Sequence, residues 1–490
     1  MKNLFCLGVF GLVALGASAA PMVDFTVPAR PIRRALYASG WGGQLTGPQS
    51  AKYREIGALG FSAARTHDWA LNNPGQRMCD LHFMFPLIHA DTEDSKNYFF
   101  GPTDEILAMT IEDLGMDVMF RMGTSIESVN ARRKDEQNPP RYYNSVEPLD
   151  WEQFTKAHAQ IIRHYTEGKW NGFKWGEKMK YWELWNEPND RPGGSWIIRT
   201  GDTDRGVNNY TFNSFFIYVL KRLKAEFPHL KFGGPATCNY DVKFLTELLT
   251  RCKEADYTPD FISWHSYGDD PTRMLGQPAK ARKLLDDMGF TKTELVINEW
   301  HWYPDSWWGN ATEAQRLDPD TGVTSIRAAT YALQVMTGIQ ETCLDQSYFY
   351  GCSDIPGNVW GYRLANLEPN KHFWAIHLLA DIFADCDTFQ PTGDVTSPAP
   401  VRVFGAKSRD GRRAYLLVMD YCAEPETITV TAKGLEDYAV KEVRATDKTR
   451  NYEALAASFV TRKGDTFELR KPAAASAATY LIVLEETHRR

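Results

Sequence analysis

Lys180-Tyr-Trp-Glu-Leu-Trp-Asn-Glu-Pro188 reads as a short apolar β-strand that runs into a carboxylate and is stopped by a proline. Glu294-Leu-Val-Ile-Asn-Glu-Trp300 has the same build. Working outward from these two, short apolar runs recur at 35–39, 61–65, 117–121, 181–185, 231–235, 261–265, 295–299 and 346–350, which makes eight. Amphipathic helical patterns lie between them, for instance at 213–226, 242–254 and 324–340. Strand–helix alternation repeated in this way predicts an α/β protein whose parallel sheet closes into a (β/α)8 TIM barrel. Glu187 and Glu299 are too far apart in sequence to share a helix. They meet only if their strands belong to one barrel and both side chains stand at its C-terminal mouth, where the active sites of such barrels lie.

The pattern changes after residue 373. The stretch 374–383 reads as a last helix, and strand-like runs follow at 401–404, 414–419, 427–431, 440–444, 466–469 and 479–484 with turn residues between them. Short strands at close spacing without helices predict a β-sandwich. The expected division is a signal peptide over 1–20, an N-terminal segment over 21–34 that adds an edge strand to the sandwich, the barrel over 35–385 and the sandwich domain over 386–490. The signal reading rests on Lys2, the apolar stretch 4–15 and the small residues Ala17-Ser-Ala19. That apolar stretch is too short to span a bilayer, and no later run approaches membrane length. A secreted or periplasmic protein is the expectation.

The 490 residues suit a large domain plus a smaller one. Hydrophobic residues at 43% and charged residues at 24% are ordinary for a globular chain. Removing the signal takes away one cation, Lys2, and no acid, so the net charge moves from −7 to −8. That acidity, without a basic stripe, argues against a nucleic-acid partner. The seven remaining cysteines are irregularly spaced, which argues against a disulfide framework, although one bridge is allowed outside the cytoplasm. Neither CxxC nor HExxH occurs, so no metal and no cofactor is expected. The aromatic content, 15 Trp, 22 Tyr and 26 Phe, suits both a large core and a sugar site, where a ring offers an apolar face and a polar edge.

Four run ends carry polar, titratable or aromatic side chains. The second ends Arg65-Thr-His67, the fourth Trp185-Asn-Glu187, the sixth His265-Ser-Tyr267 and the seventh Asn298-Glu-Trp300. Arg65 and His67 share strand parity, as do His265 and Tyr267, so each pair points to one face. Two carboxyl groups facing one bound sugar are what glycosidic-bond hydrolysis requires, one to protonate the leaving oxygen and one to attack the anomeric carbon. Each residue alone has a plainer reading. Glu187 could cap a helix, Glu299 could be a rim acid, His265 a satisfied core histidine and Arg65 half of a rim salt bridge. Glu183 shares parity with Glu187 and reads as a buried structural partner. Arg121, ending the third run, stands open between substrate contact and structure.

At these residues the chain resembles the retaining glycoside hydrolases of clan A, and most closely family 39, whose members include β-xylosidases and α-L-iduronidases. Trp185-Asn-Glu-Pro-Asn189 is similar to the acid/base motif, and the strand ending at Glu299 to the nucleophile segment. The segment 68–101 departs from the xylosidase pattern and is expected to reshape the mouth. The resemblance implies that Glu187 is the acid and then the base, and Glu299 the nucleophile. It also implies that Arg65 holds Glu299 ionised, that Asn186 donates to the sugar 2-hydroxyl and that Tyr267 hydrogen-bonds Glu299. His67 and His265 would contact sugar hydroxyls or the neighbouring carboxylates. Among the loop tryptophans 302, 307, 308 and 360, one is expected to form a sugar platform, and Trp360 is taken for it.

The function implied is that of a retaining glycosidase, acting on terminal residues of oligosaccharides derived from plant or bacterial polysaccharide. A uronate substrate needs a cation beside its carboxylate, and the mouth offers only Arg65 and Arg121, so a neutral sugar is expected. The competing readings are an endo-acting clan A glycanase and a carbohydrate-binding protein without catalysis.

Overall fold

The computed structural model describes residues 20–41, 55–66, 79–87, 89–123, 147–189, 196, 209–352, 368–421, 426–471 and 476–487. Two short strands come first, β1 (Met22–Asp24) and β2 (Arg30–Pro31). Eight strands follow: β3 (Ala38–Trp41), β4 (Ala63–Arg65), β5 (Asp117–Met122), β6 (Tyr181–Leu184), β7 (Lys231–Thr237), β8 (Phe261–Gly268), β9 (Glu294–Trp302) and β10 (Gln346–Cys352). They form a closed barrel in that order, with β10 returning to β3, and every neighbour is parallel. The first strand starts later than its apolar run suggests, because Arg34–Leu36 forms a 3-10 turn ahead of it.

Alternate side chains point into the barrel. Ala38, Ala63, Met119, Phe261, Val296 and Tyr348 pack together as an apolar floor with Tyr181 against them. Two residues further along the same strands the inward positions turn polar: Arg65, Arg121, Glu183, Ser263 and Asn298, all buried. The interior is thus dry at its base and charged towards the C-terminal ends of the strands.

The outer helices bury one apolar face each. Helix Trp151–Thr166 presents Phe154, Ala157, Ile161, Ile162 and Tyr165 inward and starts on Asp150, whose carboxylate accepts from the Gln153 N–H. A cap of this kind is worth about 1 kcal/mol. Helix Val242–Glu254 is capped in the same way by Asp241.

Beyond helix Lys371–Asp385 the chain forms β11 (Thr388–Gln390), β12 (Val401–Lys407), β13 (Arg413–Asp420), β14 (Thr427–Lys433), β15 (Tyr438–Thr446), β16 (Glu453–Leu455), β17 (Val460–Lys463), β18 (Thr466–Arg470) and β19 (Ala478–Glu486). A seven-stranded sheet, β16-β15-β19-β13-β12-β11-β2, faces a four-stranded one, β1-β14-β18-β17. Val23, Leu416, Val430, Phe467 and Ile482 are among the residues that fill the space between them. The outer face of the larger sheet packs on the barrel: Phe404, Tyr415, Leu417 and Leu481 belong to the same apolar cluster as the barrel helices. Near the mouth, Tyr421 accepts from Trp302 Nε1 at 2.7 Å and donates to the Asp269 carbonyl at 2.9 Å. Among the described residues no helix is long and apolar enough to cross a membrane. The expected signal stretch lies outside the described residues, apart from Ala20.

Candidate active site

β6 ends in a strained turn. Trp185 and Glu187 hold φ of 74° and 49°, in the left-handed region that side chains other than glycine avoid. Each such residue costs on the order of 1–3 kcal/mol and persists only where its surroundings hold it. Here the Trp185 N–H donates to the Met122 carbonyl at 2.8 Å, and the Glu187 N–H donates to the Ala236 carbonyl at 2.8 Å. Ala236 is itself left-handed, with φ of 56°, beside a register shift between β7 and β8. Asn186 and Glu187 are turned towards the barrel axis as a result, and Asn186 Oδ1 accepts from Arg65 Nη2 at 2.9 Å.

β9 reaches the same space without such strain. Between Ile297 and Glu299 it advances two residues while β8 advances one, from Trp264 to His265, and its register with β10 slips at the same place. This bulge sets two consecutive side chains on the inner face. Asn298 Nδ2 donates to Glu183 Oε1 at 2.7 Å. Glu299 accepts from Arg65 Nη1 at 3.2 Å and from Tyr267 Oη at 2.6 Å.

Glu183, fully buried, lies beneath. Arg65 Nε reaches its Oε2 at 2.6 Å, and Ser263 Oγ donates to its Oε1 at 2.7 Å. Three donors offset the loss of water around that carboxylate. Arg65, at the end of β4, therefore joins Glu183 and Asn186 from the end of β6 to Glu299 from β9.

His265 lies between the two outer carboxylates. Its Nδ1 is 2.7 Å from Glu187 Oε1, and its Nε2 is 3.5 Å from Glu299 Oε2. Burial acts to keep the ring neutral, but the charges of Glu299 and Glu187 outweigh it and raise the histidine above its ordinary value. Tyr267 is pushed well above the usual phenol range by burial and by the charge of Glu299, so it remains a proton donor. Glu187, His265 and Glu299 each offer one ligand-type atom, and these atoms lie within 4.8 Å of one another. The two ring nitrogens of His265 serve different carboxylates, which suits a shared proton better than one ion held by all three.

Of the remaining candidates, Arg121 is buried and forms an ion pair with Asp80 Oδ1 at 2.7 Å. The Leu81 N–H donates to the Gly123 carbonyl at 3.0 Å, so part of the segment after the second strand docks on the end of the third. His67 and Trp360 lie outside the described residues. Sequence reasoning named Asn298 at its strand end without a role, and missed Ser263 and Asp80. Ser263 carried a signal, since it shares parity with His265. Asp80 carried none, because only the folded loop brings it to Arg121.

The sequence model of glycosyl hydrolases family 39 matches residues 52–286. Over those residues the chain is a member of this family. That match holds the β6 motif, Arg65 and Tyr267, and stops short of Glu299. A curated β-xylosidase from Geobacillus stearothermophilus is 27% identical over 179 residues, 32% of this chain and 32% of that protein, so the match spans about a third of the relative's length. Among solved structures, a glucosidase from Croceicoccus marinus superposes with a TM-score of 0.67 at 17% identity, over 96% of this chain and 100% of the other. A family 39 β-xylosidase from Caulobacter crescentus gives 0.62 at 18% identity, over 96% and 100%. At such identities these two likenesses establish the fold.

Proposed function

We propose that this family 39 protein is a retaining glycosidase that removes terminal sugars from oligosaccharides by double displacement. The observation that carries the reading is the spacing of the carboxylates. Oxygens of Glu187 and Glu299 lie within 4.8 Å of each other. Retaining enzymes hold the two groups about 5–5.5 Å apart, whereas inverting ones leave roughly 6.5–9.5 Å for a water.

In this mechanism Glu299 attacks the anomeric carbon while the leaving oxygen takes a proton from Glu187. The glycosyl ester that forms on Glu299 is then opened by a water, whose proton returns to Glu187. Arg65 and Tyr267 hold the Glu299 carboxylate in an ionised, oriented form. The proton delivered to the leaving group belongs to the hydrogen-bonded pair of Glu187 and His265 rather than to one residue. Asn186, with its carbonyl held by Arg65, keeps its amide hydrogens for the sugar 2-hydroxyl.

A neutral sugar fits best, because Arg65 and Arg121 are each engaged with acidic side chains. The β-xylosidase relative makes β-linked xylose the first substrate to try. The apolar leader over 1–20 supports action outside the cytoplasm. A panel of nitrophenyl glycosides, followed by NMR of the first-formed anomer, tests the proposal. Release of the aglycone with retained anomeric configuration is expected; initial inversion overturns the mechanism, and no turnover of any glycoside overturns the function.

A further inference from the structure

Trp308 stands near the mouth with no part in the chemistry above. It follows the one-turn helix Asp305–Trp307, just beyond the end of β9. Its ring packs on Tyr303 at 4.5 Å and meets Tyr267 edge-on at 5.4 Å. Tyr267 is the residue whose hydroxyl holds Glu299. Trp308 nevertheless remains 42% exposed, while Trp302 on the same segment is 2% exposed.

The loop that carries Trp308 is tied down from beneath. Arg273, in helix Pro271–Met288, pairs with Asp305, with Nη2 to Oδ1 at 3.1 Å, and also donates to the Tyr267 carbonyl. The indole is thus fixed relative to the nucleophile on one side and open to water on the other. An exposed, immobilised indole leaves apolar area in water at about 25 cal/mol per Å². A pyranose ring covers such a surface with its C–H face and keeps its hydroxyls solvated.

Depth decides which ring. Glu299 is 6% exposed at the bottom of the mouth, and the sugar it attacks must reach down to it. Trp308 lies outward of that level, past Tyr267. Resting on the glycosidase reading, we infer that Trp308 is the stacking platform for the leaving-group sugar, the second ring of a neutral oligosaccharide. Arg273 and Asp305 neutralise each other below it.

Xylosyl fluoride and xylobiose separate the two rings, because fluoride has no ring to stack. For Trp308→Ala, kcat/KM on xylobiose should fall about tenfold more than on xylosyl fluoride, chiefly through KM, and Trp308→Phe should restore most of the difference. Equal losses on both substrates, or no loss on either, overturn the platform. Should the wild type cleave neither substrate, the choice of β-linked xylose fails separately. Calorimetry of xylobiose with Glu299→Gln, with and without Trp308→Ala, then decides on the platform alone. Weaker binding by the double variant supports it; equal affinities or no binding overturn it.

Discussion

Glu187 leaves β6 through a turn with two left-handed residues, whereas Glu299 stays inside the continuous nine-residue strand β9. The Glu187 side chain is 26% exposed and that of Glu299 is 8% exposed. Among the described residues Glu187 meets one side-chain partner within the site, His265, while Glu299 is gripped by Arg65 and Tyr267 with His265 alongside. The contrast matches the two proposed tasks. A group that gives a proton away and later takes one back needs access to a leaving group and to water. A nucleophile needs a fixed position and a stable negative charge. The strain therefore sits with the acid, and the rigid hydrogen bonds sit with the nucleophile.

The largest effect should come from the rigid side. Glu299→Gln keeps the shape and removes the attacking oxygen, and kcat on an aryl glycoside should fall on the order of 10⁴-fold. A loss below tenfold would give the nucleophile role to another residue. Glu187→Gln should cost about 10²–10⁴-fold on substrates with poor leaving groups. On a glycosyl fluoride, whose leaving group needs little protonation, the same variant should lose far less. Uniform losses across leaving groups would erase the distinction between the two glutamates.

Stability should also respond to pH in opposite senses through the two buried histidines beside these carboxylates. His301, two residues beyond Glu299, is buried, its Nδ1 lies 3.0 Å from the Trp302 carbonyl, and burial holds its pKa down at about 4. The unfolded chain takes up that proton near pH 6.5, so the unfolded state binds more protons between about pH 6.5 and 4, and stability falls as pH drops through that window. The contribution is at most about 3 kcal/mol. His265, raised by its carboxylates, acts in the opposite sense: its stabilisation is complete below pH 6.5 and is lost as pH rises through its higher folded value. Urea midpoints measured against pH for the wild type and His301→Gln should differ in slope on the acid side, and parallel curves would remove His301 from the account.

The smallest effect expected is that of Tyr267→Phe, which removes one charge-assisted hydrogen bond from Glu299. It should lower kcat about tenfold and leave KM nearly unchanged. A change confined to KM would place the Tyr267 hydroxyl on the sugar instead.

Much of the fold was legible in the sequence because strands of a closed barrel are bounded apolar runs separated by amphipathic helices. The short strands β11, β16 and β17 were not, since three or four residues carry no usable period. The barrel strand β3 was displaced along the chain because its apolar run is shared with a 3-10 turn. In the site, Glu187, Glu299, Arg65, His265 and Tyr267 could be named from strand ends and parity. The bulge that turns both Asn298 and Glu299 inward could not, because parity alone sends neighbours to opposite faces.

By itself the sequence determined the periodicity, the two acidic strand ends and the residue types around them, since these follow from local pattern and from what the chemistry requires. Tertiary structure decided which groups touch. Arg65 bridges three strand ends, His265 lies between two carboxylates, and Asp80 comes from a distant loop to pair with Arg121. Barrel closure brings together groups that are remote along the chain, and hydrogen bonds between such groups depend on register and on ångström distances that no local pattern encodes.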